Sequence, residues 1–268
     1  MELLTLFKAA LLGIIEGLTE FLPVSSTGHL IIAADLLGFT GRNAETFEIA
    51  IQLGAILGVA FDYRRRLAQL VLNLRQPREF RLARNLLIAF LPAAIIGLLF
   101  HQQIKTPLFK PVTVAWALIV GGVLILVIER LPLRTRVTDI DSIDMRAALK
   151  IGLAQTLSLF PGVSRAGATI MGGLVAGLSR TAATEFSFFL AIPVMLAATT
   201  FELVGNFHGM NGHELVALAV GFVMSFLTAT VVVKLFLRYV SRHDFTVFAW
   251  YRIGFGMLVL AYYWPTSE

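Results

Sequence analysis

Two carboxylates and a short polar run lie close together near the start of this 268-residue chain. Glu16 and Glu20 are spaced i,i+4, so both side chains share one face of a helix. After Pro23 come the candidate phosphate-binding and reacting residues Ser25, Ser26, Thr27, Gly28 and His29. Ser or His can accept a phosphoryl group, and Glu can act as a base or hold a divalent ion. The block therefore indicates phosphate chemistry or phosphate transport.

A second block of the same kind follows Pro161 and carries a cation. Its candidate phosphate-binding residues are Ser164, Arg165, Gly167 and Thr169. The guanidinium of Arg165 offers phosphate oxygens a rigid fork of donors. Backbone amides at the helix starts after Pro23 and Pro161 can also hold an anion. If the two blocks meet, we expect one anion site with carboxylates on one side and a guanidinium on the other.

The two blocks also align without gaps, GIIEGLTEFLPVSSTGHLI (13–31) with GLAQTLSLFPGVSRAGATI (152–170). Seven of the nineteen positions are identical, several of them Ser, Gly or Phe. This similarity predicts an internal repeat, with halves at about 1–130 and 147–268 inside a single membrane domain of residues 1–268. Each half would contain one broken hairpin and three spans. Because three is odd, the second half is expected to be inverted relative to the first.

The elements that must position these residues are strongly apolar. The chain is 57% hydrophobic and only 15% charged, with a mean hydropathy of +0.80, whereas soluble domains carry about 25% charged residues. This composition excludes a soluble globular enzyme, a disordered chain and a coiled coil, and the lack of cysteine excludes a disulfide scaffold. We predict an all-α polytopic membrane protein. Its six transmembrane helices lie at roughly 45–62, 84–101, 111–129, 184–203, 214–236 and 246–264.

The basic residues orient these spans. The net charge of +5 comes from Arg and Lys between the apolar runs, a pattern typical of membrane topology and not of nucleic-acid binding. Segments 64–84, 130–150 and 234–242 are therefore predicted to be cytoplasmic. Segments 1–40 and 147–180 would then each have both ends on one side of the membrane. We predict that they are two re-entrant helix–loop–helix hairpins that enter from opposite faces.

Several other polar residues stand inside apolar segments. Glu48 and Gln52 share a face of the first span, and Glu185 and Ser187 open the corresponding span of the second half. Both pairs fit either of two interpretations, partners of the phosphate site or polar seams between helices. Arg252, near the cytoplasmic end of the last span, is interpreted as a side chain that snorkels to the interface.

At these residues the sequence resembles the undecaprenyl-diphosphate phosphatase family, integral membrane enzymes linked to bacitracin resistance. The similarity extends over essentially the whole chain. Its matching stretches are EGLTEFLPVSSTGHL (16–30), FEIAIQLGAI (47–56), PGVSRAGATI (161–170) and EFSFFLAIP (185–193). The family's second block commonly reads SRSGAT, whereas Ala166 replaces the serine here.

The resemblance implies an active site of Glu16, Glu20, Ser26, His29 and Arg165. It implies removal of the terminal phosphate of undecaprenyl diphosphate, which returns the lipid carrier used in cell-wall polysaccharide synthesis. It also implies a divalent cation, Mg²⁺ or Ca²⁺, for which Glu16 and Glu20 are the candidate ligands. The site is expected to open toward the outer, periplasmic side of the bacterial plasma membrane.

Two questions stay open at the level of sequence. Ser26 is the leading candidate nucleophile, with His29 as its base or as the acid for the leaving group, and Glu20 either binds metal or orients His29. A second scheme makes His29 the nucleophile. The competing class is transport, by a polyprenyl-phosphate flippase or an anion carrier. Polyprenyl diphosphate and membrane lipids are the expected partners, nucleic acid is not, and both a monomer and an oligomer are compatible with the sequence.

Overall fold

The computed structural model describes residues 2–39, 44–108, 110–206 and 212–263. These residues form helices and connecting turns, with one isolated β-bridge between Val137 and Leu178. The α-helices are α1 (Glu2–Thr19), α2 (Ser26–Leu37), α3 (Ala44–Asp62), α4 (Arg64–Leu72), α5 (Pro77–Leu108), α6 (Pro111–Arg130), α7 (Met145–Gln155), α8 (Arg165–Val175), α9 (Arg180–Asn206), α10 (Gly212–Val240) and α11 (Thr246–Tyr263). The prediction of an all-α fold is confirmed for the described part of the chain.

In the described part of the chain, four helices are long and apolar enough to cross a membrane, which confirms a polytopic membrane protein. They are Pro77–Phe100, Pro111–Arg130, Arg180–Phe201 and Gly212–Val240. Thr46–Asp62 and Arg64–Leu72 together meet the same criterion, but they are bent by 76° relative to each other. The described part of the chain has a fifth span if the two bent helices are counted together as a single span. The segment predicted as the sixth span forms α11, which is not among the helices that meet the criterion. The number six therefore stays a prediction.

Both segments that contain the repeated pattern of Pro, Ser and Gly form helix–turn–helix units. In the first, α1 and α2 are separated by a turn at residues 20–25. In the second, α7 continues into a 3₁₀ turn, Thr156–Leu159, and a loop that leads to α8. Pro23 and Pro161 lie in the irregular segments between the paired helices, where the ring of proline does not interrupt a helix.

The packing of the helices interlocks the two halves of the chain. α1 packs against α10, while α7, its counterpart in the sequence alignment, packs against α5. The corresponding helices α3 and α9 also pack on each other, as do α6 and α11. Close approach of α1 to α10 depends on Gly13 and Gly17. A Cβ atom on Gly13 would lie 2.2 Å from the carbonyl oxygen of Gly221, so any side chain there would push the helices apart.

The three Arg- and Lys-rich segments meet at one end of the bundle. Arg66 donates hydrogen bonds to Glu79 (2.5 Å) and to Asp141 (2.6 Å), which joins the first segment to the second. Lys234, in the third segment, lies 3.0 Å from Asp62 at the end of α3. This common location agrees with the assignment of all three segments to one side of the membrane.

Candidate active site

The turns before α2 and α8 have the same unusual backbone. Ser25 (φ 72°, ψ 95°) and Ser164 (φ 77°, ψ 118°) are the residues other than glycine that have positive φ within the described ranges. Each is the N-cap of its helix and accepts a hydrogen bond from the amide three residues on, at Gly28 (3.4 Å) or Gly167 (3.0 Å). Such conformations cost about 1–3 kcal/mol and cluster at functional sites. Two helix N-termini with this geometry are suited to bind an anion.

The first residues of these two helices meet at Glu20. The hydroxyl of Ser26 donates a hydrogen bond to one carboxylate oxygen of Glu20. The other carboxylate oxygen accepts from Nη2 (3.3 Å) and Nε (3.4 Å) of Arg165. All three side chains are at least nine-tenths buried. A hydroxyl in contact with a carboxylate, beside a guanidinium, has the components needed for phosphoryl transfer.

Arg165 is held in place from the other side by α9. Its Nη1 donates to the carbonyl oxygen of Ser187 at 3.0 Å. The hydroxyls of Ser187 and Thr169 share a hydrogen bond of 2.6 Å, and Thr169 also donates to the carbonyl oxygen of Arg165 at 2.9 Å. Of the two interpretations of Ser187, the structure therefore supports a partner of the site. Thr169 orients the turn and does not line the cavity described next.

A cavity of about 340 Å³ opens next to this group. Its polar wall contains Glu20, Ser25, Ser26, Thr27, Glu48, Gln52, Ser158, Ser164, Arg165 and Thr199. Its other wall is mostly apolar and contains Ile49, Gly97, Leu159, Phe160, Pro161, Gly162, Val194, Met195 and Ala198. Glu48 and Gln52 therefore contribute to the same cavity as Ser26. Glu16, Gly28, His29 and Gly167 are buried behind its surface.

Glu16 is a fully buried carboxylate. Among the residues that the structure describes, neither of its carboxylate oxygens has a hydrogen-bond partner. It interacts electrostatically with Glu20, Glu48 and Arg165. Two such oxygens beside a second carboxylate fit a divalent cation that completes its coordination with water and substrate phosphates. Within the described ranges, no group of three or more His, Asp or Glu side chains could hold a metal ion on its own.

His29 faces away from Ser26. Its Nδ1 lies 2.7 Å from the carbonyl oxygen of Ser25, and its Nε2 lies 2.6 Å from the hydroxyl of Tyr251 on α11. The ring also stacks on Phe255, with 4.4 Å between centroids. The geometry thus ties His29 to the backbone before α2 and gives Ser26 a carboxylate, not an imidazole, as its neighbour. Sequence reasoning missed Tyr251, whose hydroxyl inside an apolar span was the available signal.

Arg252 does not snorkel to the membrane surface, so that interpretation was wrong. The residue is only 1% exposed and lies between the two Ser-containing turns. Burial there leaves no donor unpaired, because carbonyl oxygens of the two turns and of α6 accept from all three nitrogens of the guanidinium. The feature of the sequence that could have indicated this buried position is an arginine inside an apolar run.

The fold and the cavity define a class, helical polytopic membrane proteins with a polar cavity lined by a carboxylate, a hydroxyl and a guanidinium. The family model described as "Bacitracin resistance protein BacA" matches residues 9–258. The chain therefore belongs to the BacA family, and the resemblance noted from the sequence is confirmed.

Curated relatives cover nearly the whole chain. The chain is 56% identical over 266 residues to "Undecaprenyl-diphosphatase 2" of Rhodospirillum rubrum, which covers 98% of this chain and 97% of that protein. It is 55% identical over 260 residues to "Undecaprenyl-diphosphatase" of Nitrosomonas eutropha, covering 97% and 95%. It is 50% identical over 275 residues to the protein of the same name from Ectopseudomonas mendocina, covering all of both chains.

Proposed function

We propose that this protein hydrolyses undecaprenyl diphosphate to undecaprenyl phosphate and inorganic phosphate. The names of its full-length relatives support this activity. The structural observation that carries the proposal is the contact of Glu20 with both the Ser26 hydroxyl and the Arg165 guanidinium inside one cavity. The reaction recycles the lipid carrier of cell-wall polysaccharide synthesis, and the family description supports a link to bacitracin resistance.

The diphosphate binds where the N-termini of α2 and α8 converge. The guanidinium of Arg165, which also holds Glu20, supplies positive charge at the cavity, and the amides of both helix starts supply a positive electrostatic potential. The hydroxyls of Ser25, Thr27 and Ser164 line the same wall of the cavity. Fixed donors in a largely buried site stabilise charge that develops during phosphoryl transfer.

Ser26 is the nucleophile and Glu20 its base. The Ser26 oxygen forms a bond to the terminal phosphorus as its proton passes to Glu20, and the bridging P–O bond breaks so that its electron pair leaves with undecaprenyl phosphate. Glu20 releases that proton to the leaving phosphate. Water then attacks the phosphoserine while giving a proton to Glu20, inorganic phosphate leaves, and Glu20 returns the proton to the Ser26 oxygen. His29 acts by fixing the carbonyl of Ser25 next to the nucleophile.

Glu16, with Glu20 beside it, would hold a divalent cation such as Mg²⁺ or Ca²⁺. The two unpartnered oxygens of Glu16 support this assignment. When bound, the cation would neutralise phosphate charge and so strengthen binding of the diphosphate. Glu48, at the edge of the same cavity, adds further negative charge that favours a cation there.

The polyprenyl tail leaves the cavity between α5 and α9. The lining there includes Gly97, Leu159 and Val194, and the one described atom within 4 Å of a Cβ on Gly97 would be Leu159 Cδ2 at 3.4 Å. Leu98 and Leu99, which follow on α5, are 64% and 67% exposed. A gap beside glycine that continues into exposed apolar surface suits an isoprenoid chain in contact with lipid.

We also propose six spans, with α3 and α11 as the additional two and α4 in the basic segment that follows α3, and re-entrant hairpins at α1–α2 and α7–α8. The alignment of the two serine turns supports an inverted repeat. The cavity residues on α5 and α9, Gly97 and Val194 to Thr199, lie far along each helix from the end that carries the basic segments. If those segments are cytoplasmic, the cavity opens toward the outer side of the plasma membrane.

Transport is the second candidate, because the two turns share one backbone geometry as repeats in carriers do. Phosphate release from undecaprenyl diphosphate by protein purified in detergent separates the two classes, since a hydrolase works without a membrane and a pure carrier does not.

The Ser26→Ala and His29→Ala variants, each with and without chelator, belong in the same assay. We expect Ser26→Ala to be inactive, His29→Ala to be weakened, and chelator to stop the wild type. Full activity of Ser26→Ala would contradict the assigned nucleophile.

A further inference from the structure

Arg252 is a buried cation that makes hydrogen bonds only to backbone within the described residues. Its Nη1 donates to the carbonyl oxygens of Pro23 (3.1 Å) and Val163 (2.9 Å), and its Nη2 donates to Gly162 (2.9 Å) and Ala117 (3.2 Å). Its Nε donates to the carbonyl oxygen of Leu118 at 3.3 Å, also in the described part of α6. A guanidinium has five N–H donors, so all of them are used.

These bonds connect three separate parts of the fold. Pro23 belongs to the turn before α2, Gly162 and Val163 belong to the turn before α8, and the remaining two carbonyls belong to α6. A trans peptide points its N–H away from its C=O. Because Arg252 binds the carbonyl of Val163, the amide N–H of Ser164 points away from Arg252, on a residue that lines the cavity.

We propose that Arg252 is a positioning residue that fixes the two turns relative to each other. Ser26 on one turn and Arg165 on the other must reach the same diphosphate, and no covalent link or regular secondary structure joins those turns directly. One rigid, fully used guanidinium that binds both sets the distance between them. This inference rests on the proposed function, because its readout is hydrolysis.

Gly121 on α6 gives a way to move the guanidinium without replacing the arginine. A Cβ atom on Gly121 would lie 2.1 Å from Nη2 and 2.7 Å from Cζ of Arg252. A free arginine would swing aside, but this one can do so only by breaking bonds to both turns. The adjacent Gly122 is a matched control. A Cβ atom there would meet the Ala249 carbonyl oxygen and Ile253 Cγ1, both at 2.7 Å, and Cβ of Arg252 at 3.3 Å, so it disturbs the same helix pair without contacting the guanidinium.

The experiment measures kcat, KM and thermal unfolding in detergent for Gly121→Ala, Gly122→Ala and Arg252→Lys, with undecaprenyl diphosphate as substrate. Small displacements of reacting groups can lower rates by about 10²-fold. We expect Gly121→Ala to lose about that factor in kcat with an unchanged KM, because Arg165 still binds the diphosphate. Arg252→Lys, which has three donors for five carbonyls, should retain only part of the wild-type kcat. Gly122→Ala should lower thermal stability at least as much as Gly121→Ala does, but it should lower kcat far less.

The inference is overturned if Gly121→Ala and Gly122→Ala lose kcat equally, or if Arg252→Lys has wild-type kcat. Gly254→Ala on α11, where a Cβ atom would meet nothing within 4 Å, serves as the unperturbed reference. A wild-type protein that releases no phosphate would contradict the proposed function itself, and so the two failures are distinguishable.

Discussion

Replacement of Glu20 by Gln tests the catalytic assignment most directly. The amide keeps the size of the side chain but has no negative charge and cannot take the proton of Ser26. Arg165 loses its charged partner at 3.3 Å but keeps its bond to the Ser187 carbonyl, so the guanidinium stays near the cavity. The expected defect is therefore in the proton transfer.

The size of that defect follows from the role of a general base. Positioned bases contribute about 10²–10⁴-fold to the rate, or about 3–5 kcal/mol of transition-state stabilisation. The kcat of Glu20→Gln should therefore fall by at least about 10²-fold. KM should change less, since the donors that bind the phosphates remain.

A double-mutant cycle with Ser26→Ala makes the prediction specific. If Glu20 acts through the Ser26 hydroxyl, the second substitution costs almost nothing once the first is made. The assay is phosphate release by purified protein in detergent, followed for both single variants and the double variant. Losses that multiply would refute the reasoning, because they would show that Glu20 acts independently of Ser26.

Glu48→Gln is the matched control, since it removes the same charge from the same cavity. Its loss should be smaller than that of Glu20→Gln and should multiply with the loss of Ser26→Ala. An equal, non-multiplying loss would mean that the total charge of the cavity matters and the contact with Ser26 does not.

Three further variants test the clamp, the tail path and the basic end of the bundle. Arg165→Lys should lose about 10²–10³-fold in kcat, because lysine lacks the bidentate fork; wild-type kinetics would contradict the clamp. Gly97→Leu should slow hydrolysis of undecaprenyl diphosphate about tenfold or more and spare a short-chain isoprenoid diphosphate. Gly254→Leu is its control, and an equal loss on both substrates would exclude a tail path there. Asp141→Asn should lower stability in thermal unfolding by about 1–3 kcal/mol, because Arg66 loses a charged acceptor, and an unchanged Tm would argue against this.

The sequence predicted the parts of the site that local patterns define. The i,i+4 spacing of the glutamates, the proline before each turn and the repeated Ser-x-x-Gly element predicted helix–turn–helix units with their polar ends together. Glu20, Ser26 and Arg165 lie in contact as that prediction required. Their catalytic roles stay predictions until they are measured.

Contacts between distant parts of the chain could not be predicted in the same way. Tyr251 and His29 are 222 positions apart, and Arg252 and Pro23 are 229 apart. No periodicity or motif connects such pairs, because α11 meets the first turn only through the packing of the whole bundle. His29 was a candidate base or acid because it follows Ser26 in the same polar block, but the direction of its imidazole depends on the hydroxyl that α11 brings to it.

The difference between the two turns is the strongest structural argument for hydrolysis over transport. Their backbones agree, yet Ser26 and Arg165 occupy the same first position of α2 and α8. Glu20 corresponds to Leu159 and His29 to Ala168. A carrier that alternates between two faces gains from equivalent halves, which present the substrate with similar groups in both states. Phosphoryl transfer needs a nucleophile with its base on one side of the phosphorus and a cation to hold the phosphate oxygens. Equivalent positions that carry a hydroxyl in one half and a guanidinium in the other provide that division of roles.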